Sequence, residues 1–159
     1  MGLSFNTRNL GLAVINKNHL VDYSSKLHKS KWSLLKKELI LSSLVTCIET
    51  YNIKKIALSI PFAWNQTKWY KELLNAVIVL AQMKNIKTYA YTPTDILLAF
   101  PALKKRTLKS FVNELVSMYP ELQPYSEKEK VNKNKYYYKM FEAVVVASIC
   151  SRKIGRWRC

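Results

Sequence analysis

The first 24 residues hold three short apolar runs joined by two tight polar turns, and this feature constrains the fold most. The runs are Leu3–Phe5, Leu10–Ile15 and Leu20–Ser24, and the turns are Asn6–Asn9 and Asn16–Asn18. Short apolar runs separated by a few turn-forming residues predict β-strands that pair as antiparallel hairpins. The chain therefore opens with three strands of a sheet.

The rest of the chain alternates between helical and strand patterns. Helices are predicted where apolar residues recur at three- and four-residue steps, namely over 33–51, 68–84, 94–99, 103–119 and 136–153. Buried strands are predicted over 53–60 and 86–91, and the polar, charged segment 120–134 is predicted to be a loop. Helical crossovers make the later strands parallel. The order β-β-β-α-β-α-β-α-α predicts an α/β fold, a mixed sheet of three antiparallel and then two parallel strands flanked by helices.

The charge balance is the strongest compositional signal. The chain carries 26 Lys and Arg against 10 Asp and Glu, a formal net charge of +16 at pH 7. A field of this sign attracts polyanions such as DNA, RNA or an acidic membrane surface. We favour nucleic acid over a basic surface that serves only solubility. The length of 159 residues suits one domain, in which 152–159 is a basic C-terminal tail.

Cysteine usage and hydropathy exclude several classes of protein. Cys47, Cys150 and Cys159 form no CxxC pair, and His19 and His28 are the only histidines, so neither a zinc site nor a disulfide framework is expected. The N-terminus has no basic leader, and no uncharged apolar run reaches the roughly 18 residues that a membrane span needs. We expect a cytoplasmic protein in a reducing compartment, with no membrane partner.

Three segments, at Gly2–Val14, Lys55–Pro61 and Phe141–Ala147, resemble motifs of RuvC-type Holliday junction resolvases and their YqgF-like relatives. Gly2–Val14 resembles the opening strand, whose pattern is roughly LG-I/L-D-x-G-T/S-x-x-x-G-x-A-V. Lys55–Pro61 resembles the fourth strand, and Phe141–Ala147 resembles the last helix, where the family has D-A-x-D-A-L-A-I-A. The three segments come in the family's order and span nearly the whole chain. The resemblance therefore implies a ribonuclease H-like fold, in agreement with the mixed sheet.

The resemblance also implies where catalytic residues would lie. In these nucleases, carboxylates from the first strand, the fourth strand and the last helix hold two divalent metal ions, which stabilise the attacking and leaving oxygens of phosphodiester cleavage. Here we assign the first-strand position to Asn6, the fourth-strand position to Ser59 and the first position in the last helix to Lys139, so that only Glu142 keeps a carboxylate. Lys139 and Glu142 are three residues apart on a helix and can form an ion pair. We predict a degenerate site with no catalytic residue and no metal cofactor.

Two other functions remain open. Asp95, together with Glu142, can rebuild a Mg²⁺ site for an active Holliday junction endonuclease, although Thr94 and Asp95 also suit a helix N-terminus. Asn6 alone would also fit a nuclease that was inactivated deliberately. That explanation is disfavoured because three of the catalytic positions are substituted. The third function is an RNA-binding or assembly subunit, because YqgF-like proteins act in RNA processing.

Several basic clusters are candidates for the nucleic-acid surface, because phosphate contacts position a nucleic acid without reading its sequence. The contact loop that we favour follows the fourth strand and includes Trp64 and Lys68, since exposed rings can stack on unpaired bases. The other candidates are basic residues of three clusters, namely Lys104, Lys105, Arg106, Lys109, Lys133, Lys135, Arg152, Lys153, Arg156 and Arg158. A solvated face is the alternative for each cluster. DNA is favoured over RNA as the partner, and the apolar helical face Leu73–Leu80 allows a homodimer.

Overall fold

A computed structural model of the chain describes residues 1–6, 8–100, 108–132 and 135–152. Its strands are β1 (Gly2–Phe5), β2 (Asn9–Asn16), β3 (His19–Leu27), β4 (Lys55–Ser59) and β5 (Lys87–Tyr91). Its helices are α1 (Leu34–Thr50), α2 (Lys68–Met83), α3 (Pro93–Ala99), α4 (Leu108–Met118), α5 (Gln123–Val131) and α6 (Tyr138–Arg152). Short 3₁₀ turns lie at Ala63–Asn65 and Pro120–Leu122. Predicted helical residues 103–107 lie outside the described part of the chain.

The five strands form one mixed sheet in the order β3-β2-β1-β4-β5. β1 pairs with β2, and β2 with β3, in antiparallel fashion, whereas β4 runs parallel to both β1 and β5. Lys17 and Asn18 have φ of 46° and 68°, as a two-residue hairpin turn between right-twisted strands requires. The predicted mixed α/β sheet is confirmed.

Local capping explains where the helices begin and end. The side chains of Ser33 and Thr67 accept hydrogen bonds from backbone amides in the first turns of α1 and α2. Asn52 and Asn85 follow these two helices with φ of 47° and 53°, a left-handed conformation that asparagine tolerates at a helix end. The predicted stop at Asn52 is confirmed by this geometry.

The sheet separates two apolar layers. On one face α1 and α2 bury Ile40, Leu44, Leu73 and Val77 in a core shared with apolar side chains of β1, β2 and β4. On the other face α6 is buried along almost its whole length, because its centre, Ala143–Ile149, presents small and β-branched residues in every direction. A sheet covered on both faces by helices is the expected arrangement for parallel strands.

Two glycines let α6 approach the sheet closely. A Cβ atom at Gly2 would overlap the carbonyl oxygen of Ala143, and a Cβ atom at Gly11 would overlap the carbonyl group of Lys139. Both neighbours are backbone atoms of α6, which cannot turn away as a flexible side chain can. These contacts fix the height of α6 over β1 and β2.

The segment 120–134 corrects one prediction. It was expected to be a loop, but it contains the 3₁₀ turn Pro120–Leu122 and the helix α5. Leu122 and Ser126 are buried there, and Gln123 donates to Glu127 one turn later. A short polar helix that buries so few apolar side chains has no apolar period to read.

Two further expectations concern α2 and the membrane. Leu73 and Val77, within the apolar face Leu73–Leu80 that was expected to allow a homodimer, belong to the core, and the exposed apolar residues of α2 include Val79 and Met83. Among the helices in the described ranges, none combines the length and the apolar character needed to cross a bilayer. The single domain and the basic tail 152–159 stay predictions, since only Arg152 of the tail is described.

Candidate functional site

The candidate site lies at the end of the sheet where the carboxyl ends of the parallel strands meet the start of α6, and this end is called the site edge below. β1, β4 and β5 run parallel and finish at this edge, and α6 begins there. The carboxyl ends of parallel strands are where ligands usually bind in α/β sheets. Any group bound here would therefore meet side chains from β1, from β4 and from the first turns of α6.

The carboxylate of Glu142 is the centre of a compact polar cluster. Its Oε2 atom accepts a short hydrogen bond from the Ser4 hydroxyl and a 2.6 Å charged bond from Lys139 Nζ. The side chains of Lys139 and Glu142 are only 15% and 19% exposed, so water screens the pair less than at an open surface. One ammonium, one carboxylate and one hydroxyl thus share this point, with a formal charge of zero.

Two tyrosines border the same carboxylate. Burial, and then the negative charge of Glu142, raise the pKa of the Tyr138 hydroxyl, which also hydrogen-bonds Glu142. The same two causes raise the pKa of Tyr70, whose hydroxyl donates to the backbone oxygen of Ser59 at 3.4 Å. Both phenols are therefore neutral donors at physiological pH and add no charge to the cluster.

The structure changes the assignment of the first-strand position. Asn6 is exposed, and its Oδ1 accepts from the amides of Arg8 and Asn9 at 2.8 and 2.7 Å, so it caps its own turn. Ser4 is the β1 side chain that contacts Glu142. The family-like pattern agrees, because its Asp stands seven residues before the glycine that matches Gly11. We therefore reassign this position from Asn6 to Ser4.

The other three assigned positions stay together at the edge. Leu3 pairs with Leu58 in the parallel β1–β4 ladder, so Ser4 and Ser59 follow on adjacent strands. Ser59 is buried, and Lys139 and Glu142 extend from the first two turns of α6. The donor set at the four positions is two hydroxyls, one ammonium and one carboxylate.

Asp95 has a structural task in this chain. Its Oδ2 atom accepts from both the amide and the hydroxyl of Thr92 at 2.7 Å, and the Thr92 hydroxyl accepts from the Asp95 amide, which forms a complete capping box for α3. No group of three or more His, Cys, Asp or Glu suited to a metal ion is found within 1–6, 8–100, 108–132 and 135–152. The carboxylates of Asp95 and Glu142 thus serve different contacts.

An open cavity of about 500 Å³ lies beside the cluster. Asn6, Phe62, Tyr70, Lys139 and Glu142 are among its lining residues, so the turn after β1, the segment after β4 and α6 all contribute. Phe62 stacks on Trp64 with ring centroids 4.5 Å apart and planes 11° apart, and Trp64 is 78% exposed. An exposed stacked pair next to an open cavity is a surface on which a flat, unsaturated ring can bind.

The predicted nucleic-acid residues fall in different places. Trp64 and Lys68 are exposed and follow β4 at the site edge, and Lys135 is exposed just before α6. Lys109 is exposed on α4. Arg152 lies ten residues beyond Glu142 on α6, about 15 Å further along the helix, where it contacts the sulfur of Met118. Outside the described residues lie Lys104, Lys105, Arg106, Lys133, Lys153, Arg156 and Arg158.

Sequence reasoning missed four residues of the site. Ser4 could have been found from the spacing to Gly11, and Phe62 from its position directly after the strand that ends near Pro61. Tyr70 and Tyr138 carry no such signal, because a tyrosine on a helix is as often a core residue as a site residue. Their role follows only from the contacts with Ser59 and Glu142.

Comparison with solved structures gives the same architecture. Thermus thermophilus RuvC in complex with a Holliday junction substrate superposes with a TM-score of 0.64 at 17% identity, covering 96% of this chain and 94% of that one. The chain has the fold of RuvC. A second Thermus thermophilus RuvC structure gives a TM-score of 0.63 at 15% identity over 92% of this chain and 89% of the other. A scan against protein-family models and a search of curated proteins found no match. The RuvC-like fold implied by the sequence motifs is confirmed.

Proposed function

We propose that the chain is a catalytically degenerate RuvC-like protein that binds branched or duplex DNA without cleaving it. The observation that carries the proposal is the Lys139–Glu142 ion pair, because it neutralises the only carboxylate among the four assigned positions. The other positions, Ser4 and Ser59, bring neutral hydroxyls.

The donor set does not fit a pair of divalent cations. Magnesium binds oxygen ligands and relies on carboxylates for charge neutralisation. Two such ions bring four positive charges to an edge whose four assigned side chains sum to zero, and one of those side chains is itself a cation. At about 4 Å, two like charges repel by roughly 1 kcal/mol in water and more at a partly buried site. Metal-dependent cleavage therefore has no support from these residues.

The features that favour nucleic-acid binding are separate from catalysis. The net charge of +16 attracts phosphodiester polymers. At the site edge, the exposed Lys68 can meet a phosphate, and the Phe62–Trp64 pair can stack on an unpaired base. A branch point in DNA offers a phosphate and an unpaired base close together. Because the RuvC with a similar fold is in complex with a Holliday junction, we favour DNA over RNA as the partner.

Binding is tested by fluorescence anisotropy with a four-way junction, a duplex, a single strand and an RNA hairpin at about 50 and about 200 mM salt. We expect the junction to bind at least as tightly as the duplex, with affinity falling steeply as salt increases. Tighter binding of the RNA hairpin would favour the RNA-binding alternative. No binding to any nucleic acid at the lower salt would overturn the proposal.

Loss of catalysis is tested by incubating the protein and a junction with Mg²⁺ or Mn²⁺, and we expect no cleavage. If cleavage occurs and Glu142→Ala or Asp95→Ala abolishes it, the active-nuclease alternative is correct. A gain-of-site variant, Ser4→Asp/Ser59→Glu/Lys139→Asp, restores four carboxylates with Glu142. Added Mg²⁺ should raise the Tm of that variant and leave the wild-type Tm unchanged, because a ligand stabilises only a folded state that binds it.

A homodimer remains part of the proposal and has its own test. Leu73 and Val77 are core residues, so a dimer through α2 would have to use exposed residues such as Val79 and Met83. Light scattering of the wild type and of a Val79→Lys/Met83→Lys variant measures the oligomer directly. We expect a wild-type dimer that the two substitutions separate, and a wild-type monomer would remove this part.

A further inference from the structure

The connection between β3 and α1 is a basic segment at the same sheet edge as the Glu142 cluster. β3 pairs antiparallel with β2, so its end at Leu27 lies beside the start of β2 and the turn after β1. Lys26, Lys29 and Lys31 are all exposed, and the sequence between Asp22 and Glu38 contains no acidic residue. The amide of His28 donates to the Arg8 carbonyl at 2.7 Å, which joins this segment to the turn beside the site.

The basic segment is held in place by an unusual buried cation. Lys36, in the first turn of α1, is only 3% exposed, and its Nζ donates to the carbonyl oxygens of His28 and Ser30 at 2.9 and 2.7 Å. Burying an ammonium is unfavourable unless its protons are satisfied. The two bonds order the backbone between Lys26 and Lys31 while the flanking lysine side chains stay in solvent. A charged loop that is already ordered loses less entropy when it binds.

A third element extends the same basic surface. The Ser25 hydroxyl donates to the carbonyl of Tyr136 at 2.8 Å, and the Tyr136 hydroxyl donates to the carbonyl of Ser25 at 2.9 Å. This reciprocal pair fixes the start of α6 against the end of β3, so the exposed Lys135 lies at the same end of the sheet as Lys26, on the α6 side, whereas Lys26 pairs with Leu10 on the α1 side. The surface formed by Arg8, Lys26, Lys29, Lys31 and Lys135 is hereafter the β3-edge surface.

The distance across the sheet gives the number of nucleotides between the Ser4–Glu142 contact and the β3-edge surface. β3 is two strands away from β1, which is about 10 Å at the usual inter-strand distance. Phosphates follow one strand of a duplex at about 3.4 Å along the axis. The β3-edge surface is thus about three nucleotides from the Ser4–Glu142 contact, on the side away from Trp64 and β4.

We propose that the β3-edge surface binds the phosphate backbone of a DNA arm about three nucleotides from the cluster, so that this arm leaves the site over β3. The inference rests on the proposed function and adds a second contact that Trp64 and Lys68 cannot make. The positions of Lys29 and Lys31 on an ordered loop favour a regularly spaced polyanion, and the site edge that they flank favours DNA over an anionic lipid surface.

The test compares two triple variants with the same change in charge. Lys26→Ala/Lys29→Ala/Lys31→Ala alters the β3-edge surface, and Lys17→Ala/Lys54→Ala/Lys87→Ala alters exposed lysines at the opposite ends of the strands. Junction affinity is measured between about 50 and about 200 mM salt, because each lost phosphate contact lowers the slope of log K against log salt by about 0.9. We expect the first variant to lower the slope by roughly 2–3 and the control to leave it nearly unchanged. Hydroxyl-radical footprinting should show lost protection about three nucleotides from the branch.

Each outcome decides between the two proposals. Equal slopes for both variants, with tight wild-type binding, would overturn the β3-edge surface and leave the proposed function intact. No wild-type binding would overturn both. If the first variant keeps its DNA affinity but loses affinity for phosphatidylserine vesicles, the surface is a membrane contact instead. Circular dichroism melting checks folding, and Lys29→Glu/Lys31→Glu, which alters only two exposed side chains, repeats the test if the triple variant is unfolded.

Discussion

A single carboxylate oxygen at the sheet edge holds both a hydroxyl and an ammonium group. Ser4 and Lys139 both donate to Oε2 of Glu142, so this oxygen is engaged by a hydroxyl and by a cation. The arrangement is a partly buried ion pair, in which each charge is stable only with its partner. In our proposal, the protein binds DNA without cleaving it because a hydroxyl and an ammonium group stand where related nucleases have metal-binding carboxylates.

The first prediction concerns the coupling between these two charges. Lys139→Met leaves Glu142 without its cation, so we expect a loss of about 1–3 kcal/mol in the free energy of unfolding, below the value for a fully buried pair. The double variant Lys139→Met/Glu142→Gln removes both charges and should be more stable than the single variant. Urea unfolding of the wild type, both single variants and the double variant gives the coupling energy. If the four values are additive, the ion pair contributes nothing.

The second prediction concerns His28. Burial, and then the charges of Lys36 and Lys26, lower its pKa below the ordinary value of 6.5. The unfolded chain therefore binds more protons than the folded chain around and below that value, and stability must decrease as the pH falls through it. We expect a lower urea midpoint at about pH 5 than at about pH 8, and a smaller difference in a His28→Gln variant. The same difference in both proteins would show that other groups cause the pH dependence.

The assignment of Asn6 shows what residue-level reading could and could not supply. The spacing to Gly11 already marked Ser4, but a polar residue after the strand looked closer to a substituted Asp. The structure separates them, because Asn6 satisfies amides of its own turn and Ser4 contacts Glu142. The Lys139–Glu142 pair was predictable, since both residues are on one helix and a three-residue spacing makes them neighbours.

At the scale of elements, the close packing of α6 on the sheet depends on two glycines. The third prediction is that Gly11→Ala lowers the free energy of unfolding by roughly 3 kcal/mol or more, at or above the usual range for an overpacked core, because the added methyl group overlaps the backbone of Lys139. The overlap also displaces the first turn of α6, which carries Lys139, the ion-pair partner of Glu142. Urea unfolding measures the loss, and a cost below about 1 kcal/mol would mean that α6 can move away from β2 freely.

Elements with an apolar period were predictable, and the polar element was not. The strands β1, β2 and β4 and the helices α1, α2 and α6 bury apolar positions, so their patterns indicated them to within a few residues. In α5, Ser126 is the buried residue and Tyr125 is half-buried against the core, while most of the other side chains are polar or charged, so its sequence resembled a loop. The antiparallel and parallel directions of the strands followed from the lengths of the connections, since short turns join antiparallel neighbours and helical crossovers join parallel strands. The position of β4 beside β1 was not predicted.

At the scale of the whole molecule, the excess of positive charge works against the compact state. Ten carboxylates cannot pair 26 basic side chains, so a large share of the lysines and arginines repel one another in the folded chain. Within the described ranges, the ion pairs include Lys37–Glu72, Lys84–Glu49 and Lys139–Glu142. A charge distribution of this kind is unfavourable for a free protein and favourable for one that binds a polyanion.

The last prediction follows from that contrast. Raising the salt concentration screens repulsion between surface charges, so we expect the Tm of the free protein to increase, by roughly 2–4 °C for each kcal/mol of repulsion removed. The same salt should weaken DNA binding, because fewer counterions are released into a concentrated solution. Differential scanning fluorimetry with and without duplex DNA separates the two effects. DNA should raise the Tm strongly at about 50 mM salt and little at about 200 mM, so that the two melting curves converge.

In a Lys17→Glu/Lys54→Glu/Lys87→Glu control the net charge is smaller, and the salt-dependent increase in Tm for the free protein should shrink with it. A Tm that falls with salt for the free wild type would show that attractive surface pairs outweigh repulsion, and the positive field would then need another explanation than selection for a polyanionic partner.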